Sequence, residues 1–293
     1  MKGKLILVGA SGAIGDATLK AAQKSGLTVL PTYETRTILG GVRFNIERDA
    51  PDMLNIGGND VLILFAAHSD QEWVRTHPVE ARKLNVFASA RLAEAANQAR
   101  ALVVFISSEA VFGRSLETGW TERSEPCPTT EYGRQKLEME KILQSLGGAC
   151  VVRTGWNVSY RLADRCVVRS TYESLRDGSA RLAEDNIFSI SDVNDTARLL
   201  IEVVVTRASG IVHAVSGIPV TRTGLAEEII RNCANPKGLG YKKIRFKDLN
   251  FSEPKPARSW LSTSHEIHRR LPPFASPPEV IAKKVRFLDA PTV

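Results

Sequence analysis

The chain has 293 residues, of which 43% are hydrophobic and 24% charged, with 21 glycines and 14 prolines. This ordinary globular composition excludes collagen-like and low-complexity classes of protein. The length suits one large α/β unit or one domain that carries a smaller lobe. The longest purely apolar run, Val61–Ala67, is far shorter than the roughly 20 residues that a membrane helix requires, so we expect no membrane span.

The excess of basic over acidic residues lies entirely in the second half of the chain. The formal net charge is +7, and residues 1–150 contribute 17 basic and 17 acidic side chains to it. The basic residues of the second half are scattered, without an arginine-rich run or interleaved aromatic residues. This pattern favours a solvated surface, or a site for an anionic substrate such as a diphosphate, over a nucleic-acid partner.

The four cysteines are Cys127, Cys150, Cys166 and Cys233, and they show no close pairing and no metal-ligand spacing. We therefore expect neither a disulfide framework nor a metal site, and we predict a reducing, cytoplasmic location. For the oligomeric state, a homodimer is an open alternative to a monomer.

In the first half, short apolar runs alternate with helical patterns, which is typical of a parallel sheet with crossover helices. The predicted strands are Lys4–Val8, Thr28–Pro31, Val42–Ile46, Asp60–Ala66, Leu102–Ser107 and Cys150–Arg153. The predicted helices are Ala13–Ser25, Val79–Ala99 and Tyr132–Leu146. The pattern predicts an α/β fold with a Rossmann-like, doubly wound parallel sheet, whose ligands bind at the carboxyl ends of the strands.

After Arg153 the alternation loosens. A basic, less regular stretch from Arg161 to Asp185 precedes further elements, and proline clusters mark the tail. The predicted elements are a helix at Asp192–Val205, a strand at Ile211–Val215 and a helix at Thr223–Cys233. We therefore predict a Rossmann domain over residues 1–155. Residues 156–293 would form mainly a small substrate-binding lobe, interleaved with the last strands of the sheet.

Three glycines follow the first predicted strand directly, at Gly9, Gly12 and Gly15, and open the first helix. Glycines at this spacing let the backbone turn sharply and approach a pyrophosphate, and the helix amino terminus offers free N–H groups to it. The strand–loop–helix context favours a dinucleotide-binding loop over an ordinary tight turn.

Two further elements carry groups suited to acid–base chemistry. Tyr132 and Lys136 lie one helical turn apart on one face, where a cation would move the phenol pKa toward a useful range. Ser108 ends a predicted strand about 24 residues earlier and could hydrogen-bond a substrate carbonyl. Each element alone has a plain structural explanation, as a surface pair and as a strand-ending serine.

Together the three elements resemble the extended short-chain dehydrogenase/reductase superfamily, and more narrowly the dTDP-4-dehydrorhamnose reductase family. The segments that carry the resemblance are LILVGASGAIG, FISSEAVFG, YGRQKLEMEK, VVRTGWNVS, SISDVNDTARL, GIVHAVSGIPVTRTGLAEEI and PKPARSWLSTSHEI. The resemblance implies NAD(P)H-dependent reduction of a ketone on a nucleotide-linked deoxysugar, with residues 1–155 as the NAD(P)-binding domain.

The resemblance implies a role for each matching residue. Tyr132 would protonate the carbonyl oxygen, Lys136 would hold the nicotinamide ribose, and Ser108 would orient the carbonyl. The predicted cofactor-binding residues are Gly9, Ser11, Gly12, Ala13, Ile14, Gly15, Thr32, Arg36, Asn45, Ile46, Ala66, Ala67, His68, Tyr132 and Lys136. The predicted substrate-binding residues are Ser108, Glu109, Tyr132, Trp156 and Arg258. Asn85 matches a helix asparagine of the family, with a structural role.

The choice of cofactor depends on the end of the second strand. With the strand ending at Thr32, a neutral hydroxyl leaves room for a 2′-phosphate, and Arg36 could pair with it as a fork. This favours NADPH. A strand that ended one or two residues later would place Glu34 at the ribose and favour NADH instead.

Some positions depart from the family pattern. Ala110 stands where the family has a second tyrosine, Glu109 replaces an aspartate, and His68 replaces a tyrosine. These changes leave open which sugar is bound. The alternatives are a sugar-nucleotide epimerase or dehydratase on the same scaffold, and a non-catalytic NADP-binding subunit resembling the regulatory subunit of methionine adenosyltransferase.

Overall fold

The computed structural model of the chain describes residues 3–161, 164 and 166–290. Its strands are β1 (Leu5–Val8), β2 (Val29–Tyr33), β3 (Val42–Arg43), β4 (Val61–Leu64), β5 (Leu102–Ser108), β6 (Cys150–Thr154), β7 (Trp156–Val158), β8 (Arg181–Ala183), β9 (Ile187–Phe188), β10 (Ile190–Asp192), β11 (Gly210–Ala214), β12 (Val220–Thr221) and β13 (Lys242–Ile244). Its α-helices are α1 (Ala13–Lys24), α2 (Gln71–Thr76), α3 (Pro78–Arg82), α4 (Ser89–Gln98), α5 (Glu131–Leu146), α6 (Val167–Arg176), α7 (Val193–Thr206), α8 (Arg222–Asn232) and α9 (Pro277–Asp289).

Within the described residues, seven strands form one parallel sheet in the order β3-β2-β1-β4-β5-β6-β11. The order reverses between β1 and β4, where the chain crosses from one side of the sheet to the other. The carboxyl ends of β1 and β4 therefore border a crevice, which is where ligands bind in such sheets. The predicted fold class, a Rossmann-like doubly wound sheet, is confirmed.

Helices cover both faces of the sheet, because successive strand residues point to opposite sides. On β1, Leu5 and Leu7 join the apolar cluster that includes residues of α7. Ile6 and Val8 join the cluster on the other face, with residues of α4 and α5. All four of these β1 side chains are fully buried, which explains why the strands are continuous apolar runs in the sequence.

The predicted helix over Val79–Ala99 is a helix with a change of hydrogen bonding in its middle. After α3, the segment Lys83–Ala88 forms a π-helix, and α4 continues from it. π-Helical segments inside α-helices are often found at functional sites, and this one carries the buried Asn85.

The second and third predicted strands differ from the structure for reasons that tertiary contacts explain. β2 extends to Tyr33, because Thr32 and Tyr33 pair with Val42 and Arg43 of β3. β3 stops at Arg43, short of the predicted Ile46. Its continuation is turned away at Asn45, whose amide N–H donates to the Asp49 carboxylate at 2.7 Å and whose side-chain oxygen accepts the amides of residues 47 and 48.

The second half returns one strand, β11, to the edge of the sheet beside β6, and α7 packs against α1. The remaining helices α6, α8 and α9 pack together and share a separate apolar cluster. The lobe over residues 156–293 and its boundary at residue 155 stay predictions.

Two helices of this half were not predicted. α6 lies within the stretch from Arg161 to Asp185, of which Leu162, Ala163 and Arg165 are outside the described residues. α9 begins inside the second proline cluster, with proline in its first turn and a capping box between Ser276 and Glu279. Among the described residues, none of the helices is long and apolar enough to cross a bilayer.

Candidate active site

The glycine loop after β1 forms as predicted, and two of its glycines are required by close packing. A Cβ on Gly9, whose φ is +85°, would lie 2.9 Å from the Ala66 backbone nitrogen. A Cβ on Gly15 would lie 2.7 Å from the Gly9 carbonyl oxygen. Gly12 is the N-cap of α1 and is exposed, and no side chain caps the helix there. The first N–H groups of α1 are thus open to an anion.

Thr32 lies inside β2 rather than at its end, and its side chain is 1% exposed. Its hydroxyl accepts the Gly9 amide N–H at 3.2 Å. The strand end predicted from the sequence is therefore wrong, because pairing with β3 prolongs β2. The Thr32 hydroxyl thus supports the glycine loop through the Gly9 amide.

Two arginines converge on the glycine loop. Arg36 and Arg161 both donate to the Ser11 carbonyl oxygen, Arg161 at 2.9 Å. Asp16 lies 3.6 Å from Arg161. Burial lowers the pKa of Arg161, and the nearby Arg36 charge lowers it further. Like charges held this close are an arrangement that a bound phosphate would stabilise. Arg161 was not predicted as a cofactor residue.

The Glu34 carboxylate, which could favour NADH, is engaged by the side-chain amide of Asn45. Asn45 thus lies beside Glu34, at the edge of the site where the cofactor ribose is expected. Ile46, the other predicted residue of this segment, is 4% exposed and packs in the core, while its carbonyl accepts a hydrogen bond from Arg91 at 2.7 Å. A side-chain contact of Ile46 with a cofactor is not supported by this placement.

The segment after β4 is held in place by Asn85. The Asn85 side-chain oxygen accepts the His68 amide at 2.8 Å, and its NH₂ group donates to the His68 carbonyl at 3.1 Å and to Gln135 Oε1 at 2.9 Å. Because Gln135 lies next to Lys136 on α5, Asn85 joins the segment after β4 to α5. The structural role predicted for Asn85 agrees with these contacts.

The predicted catalytic residues come together at the carboxyl end of β5. Ser108 ends that strand, and Tyr132 and Lys136 are 8% and 5% exposed on α5. A Cβ on Gly133 would lie 2.0 Å from the Ala110 carbonyl oxygen, so this glycine allows α5 to approach the turn after β5. The Lys136 ammonium donates to the Ile106 carbonyl at 2.8 Å and lies 5.7 Å from the centre of the Tyr132 ring.

Burial raises the pKa of Tyr132, the Glu109 carboxyl raises it further, and a hydrogen bond with Ser108 lowers it. The expectation that Lys136 lowers this pKa is therefore not met, because burial dominates and the ammonium is directed to Ile106. Burial also lowers the pKa of Lys136 to about 8. A protonated phenol is the form that can donate a proton to a carbonyl oxygen.

Glu109 and Trp156 lie on the substrate side. Burial raises the pKa of Glu109 to about 7, although hydrogen bonds with Ser108 and the Trp156 indole act in the opposite direction. Trp156 is 38% exposed at the start of β7. Both side chains, which the sequence predicts to be substrate contacts, line one large cavity.

A cavity of about 650 Å³ runs from the glycine loop past Ser108, Tyr132 and Lys136 to Trp156. Ala13, Ile14 and Ala67 also line it, whereas Ala66 and His68 do not. Ala66 lies against Gly9, and the His68 ring packs at a tilt of 33° against Trp73, with ring centres 4.3 Å apart. Among the described residues, no group of three His, Cys, Asp or Glu side chains is arranged to hold a metal ion.

Arg258, predicted to bind the diphosphate, does not line this cavity or the smaller one beside it. Its guanidinium pairs with Glu117. Lys255, three residues earlier, lines both cavities. The structure therefore does not support the predicted contact of Arg258 with a diphosphate, because its side chain pairs with Glu117 and does not face the cleft.

Replacing Glu109 by Gln is expected to change the pH dependence of activity. Glu109 is protonated below its pKa of about 7, and above it a carboxylate beside Tyr132 makes proton loss from the phenol harder. We expect wild-type kcat/KM to fall as the pH rises through 7, and the variant to keep its activity up to about pH 8, where Lys136 titrates. An unchanged profile from pH 5.5 to 8 would remove Glu109 from this role.

Comparisons with known proteins agree with this geometry. A family model described as RmlD substrate binding domain matches residues 3–275. A dTDP-4-dehydrorhamnose reductase of Mycolicibacterium smegmatis is 25% identical over 284 residues, which cover 94% of this chain and 82% of that protein. Methionine adenosyltransferase 2 subunit beta of Rattus norvegicus is 29% identical over 159 residues, covering 51% of this chain and 46% of that protein. The crystal structure of a Bacillus anthracis dTDP-4-dehydrorhamnose reductase in complex with NADP is similar with a TM-score of 0.80 and 19% identity, over 97% of this chain and 98% of that one.

Proposed function

Because the chain belongs to the RmlD substrate-binding domain family, we propose that it reduces the keto group of a nucleotide-linked deoxysugar with NADPH. The observation that carries the proposal is a single cavity that joins the glycine loop to Ser108, Tyr132 and Lys136. The loop fits a dinucleotide, since Gly9 and Gly15 leave no room for side chains and the amino terminus of α1 is uncapped.

The side chains of the cavity support reduction of a ketone. The hydroxyls of Ser108 and Tyr132 lie together and can both hydrogen-bond one carbonyl oxygen. Tyr132, kept protonated by burial, donates its proton to that oxygen as negative charge develops on it. The buried Lys136 ammonium, 5.7 Å from the centre of the Tyr132 ring, favours that charge electrostatically. A bound nicotinamide supplies the hydride.

The proposal is tested by following NADPH absorbance when a dTDP-4-dehydro-6-deoxysugar is added to the purified protein. We expect NADPH to be consumed only when both the protein and the sugar nucleotide are present. A protein that binds NADPH but consumes none with any 4-keto sugar nucleotide would instead be a non-catalytic, cofactor-binding subunit. Sugar products formed without net NADPH consumption would indicate an epimerase or dehydratase.

We expect NADPH to be preferred over NADH. Arg36 and Arg161 both donate to the Ser11 carbonyl, whereas the Glu34 carboxylate accepts a hydrogen bond from the Asn45 side chain. Arg36→Gln and Arg161→Gln should each raise the KM for NADPH about tenfold and leave the KM for NADH nearly unchanged, since a hydrogen bond to a charged group contributes about 1.5–3 kcal/mol.

The control is Lys20→Gln, on the same side of the molecule with a side chain 73% exposed, which should alter neither value. An equal rise in KM for both cofactors would contradict the assignment. A wild-type preference for NADH would also contradict it and would point to Glu34.

A cytoplasmic location and a homodimer both stay predictions. Sedimentation velocity would check the second.

A further inference from the structure

Arg222 is held rigidly at the first turn of α8. Its guanidinium carbon lies 4.5 Å from the centre of the Phe188 ring and 5.2 Å from that of Trp156. Its Nε donates to the Asn186 side-chain oxygen at 3.1 Å. Three contacts thus fix the orientation of the planar group before any ligand binds, so little side-chain freedom is lost on binding.

The charge of Arg222 has no counterpart among the described residues. No carboxylate forms an ion pair with it, and its two terminal nitrogens make no hydrogen bond within the described part of the chain. Burial lowers its pKa to about 10, so it stays a cation at neutral pH. A partly buried, uncompensated cation is unfavourable, and a bound anion would compensate it.

Arg222 lines a second cavity of about 210 Å³, together with Phe246 and Phe251. Glu109, Trp156 and Lys255 line both this cavity and the larger one. The two spaces are therefore adjacent, and a ligand whose keto group lies at Tyr132 can extend past Trp156 toward Arg222.

We propose that Arg222 binds a negatively charged group of the substrate through its two terminal guanidinium nitrogens. The group is an oxoanion with the planar or forked geometry that a guanidinium matches, either the diphosphate of the nucleotide or a carboxylate on the sugar. This assignment rests on the proposed function in taking the substrate to be a nucleotide sugar, and it gives Arg222 the role that the sequence had suggested for Arg258.

The test is calorimetric titration of the wild type and of Arg222→Gln with dTDP, thymidine, UDP-glucose and UDP-glucuronic acid. If Arg222 binds the diphosphate, the variant should bind dTDP and both UDP-sugars at least about tenfold more weakly, with thymidine affinity unchanged. If it binds a sugar carboxylate, only UDP-glucuronic acid should lose affinity. The control, Arg258→Gln, should bind all four as the wild type does.

Affinities of Arg222→Gln within twofold of the wild type for all four compounds would overturn the inference, as would a wild type that binds none of them. NADPH affinity of each variant reports whether it is folded. Should Arg222→Gln not fold, Arg222→Met keeps an apolar stem between Trp156 and Phe188, and the same outcomes apply to it. Binding is measured without turnover, so loss of dTDP affinity in a protein that reduces no ketone would support Arg222 while refuting the reductase.

Discussion

Replacing Tyr132 by Phe is expected to lower kcat for ketone reduction by a factor of about 10²–10⁴. In the proposed reaction the phenol hydroxyl, beside Ser108, is the proton donor, and it acts mainly in the transition state. The ring itself is buried at 8% exposure and stays in place without the hydroxyl. NADPH affinity, measured by fluorescence titration, should therefore change by less than about twofold.

The matched control is Tyr241→Phe, which removes a hydroxyl bonded to Glu227 in the other lobe and should leave both kcat and NADPH affinity as in the wild type. A Tyr132→Phe variant that kept more than half of the wild-type kcat would show that another group protonates the carbonyl. A parallel loss of NADPH affinity would show that the hydroxyl serves binding rather than chemistry.

The second large effect is expected on stability, from the buried ion pair between α5 and β6. Glu140 on α5 and Arg153 on β6 are 0% and 1% exposed, and Arg153 donates to both Glu140 oxygens, at 3.0 and 2.7 Å. Ser107 donates to the same carboxylate. Glu140→Leu would leave the Arg153 charge buried without its partner, which costs about 3–5 kcal/mol in the free energy of unfolding.

Urea denaturation of Glu140→Leu, Arg153→Met, the double variant and Glu138→Leu checks this expectation. Glu140→Leu alone should be strongly destabilised, and adding Arg153→Met should recover much of the loss, because no unpaired charge then remains. Glu138→Leu, two residues earlier, breaks an exposed pair with Arg82 and should cost no more than about 1 kcal/mol. Strictly additive losses in the double variant would contradict the account.

The sequence predicts the parts of the fold that depend on local pattern. Continuous apolar runs located β1, β4, β5 and β6 to within two residues at each end, because a strand buried on both faces leaves a continuous apolar signal. The capping box at Ser276 and Glu279 was also present in the sequence. The neighbouring prolines do not exclude a helix, because proline suits the first turn.

The parts that the sequence did not predict depend on tertiary contacts. The end of β2 is set by pairing with β3, and this buries Thr32 under the glycine loop. In the same way, Arg161 and Arg222 carried no motif of their own. Their roles appear only when the chain brings them to Ser11 and to Trp156.

The three residues predicted to be catalytic come together because strand–loop–helix order and helical spacing constrain them jointly. Ser108 ends β5, Tyr132 and Lys136 lie one turn apart on α5, and all three line one cavity. Their electrostatics were less predictable, since the pKa of a buried phenol depends on desolvation and on Glu109, neither of which spacing reveals.

The central claim, reduction of a sugar ketone at Tyr132, is tested most directly by isotope transfer. The protein is incubated with NADPH that carries deuterium at the nicotinamide C4 position and with a dTDP-4-dehydro-6-deoxysugar, and the product is examined by NMR. The account predicts deuterium on carbon 4 of the sugar, bonded to the new hydroxyl-bearing centre, in the wild type and at most a trace in Tyr132→Phe. A sugar that contains no deuterium from the cofactor, or that exchanges only with solvent at the neighbouring carbons, would contradict it.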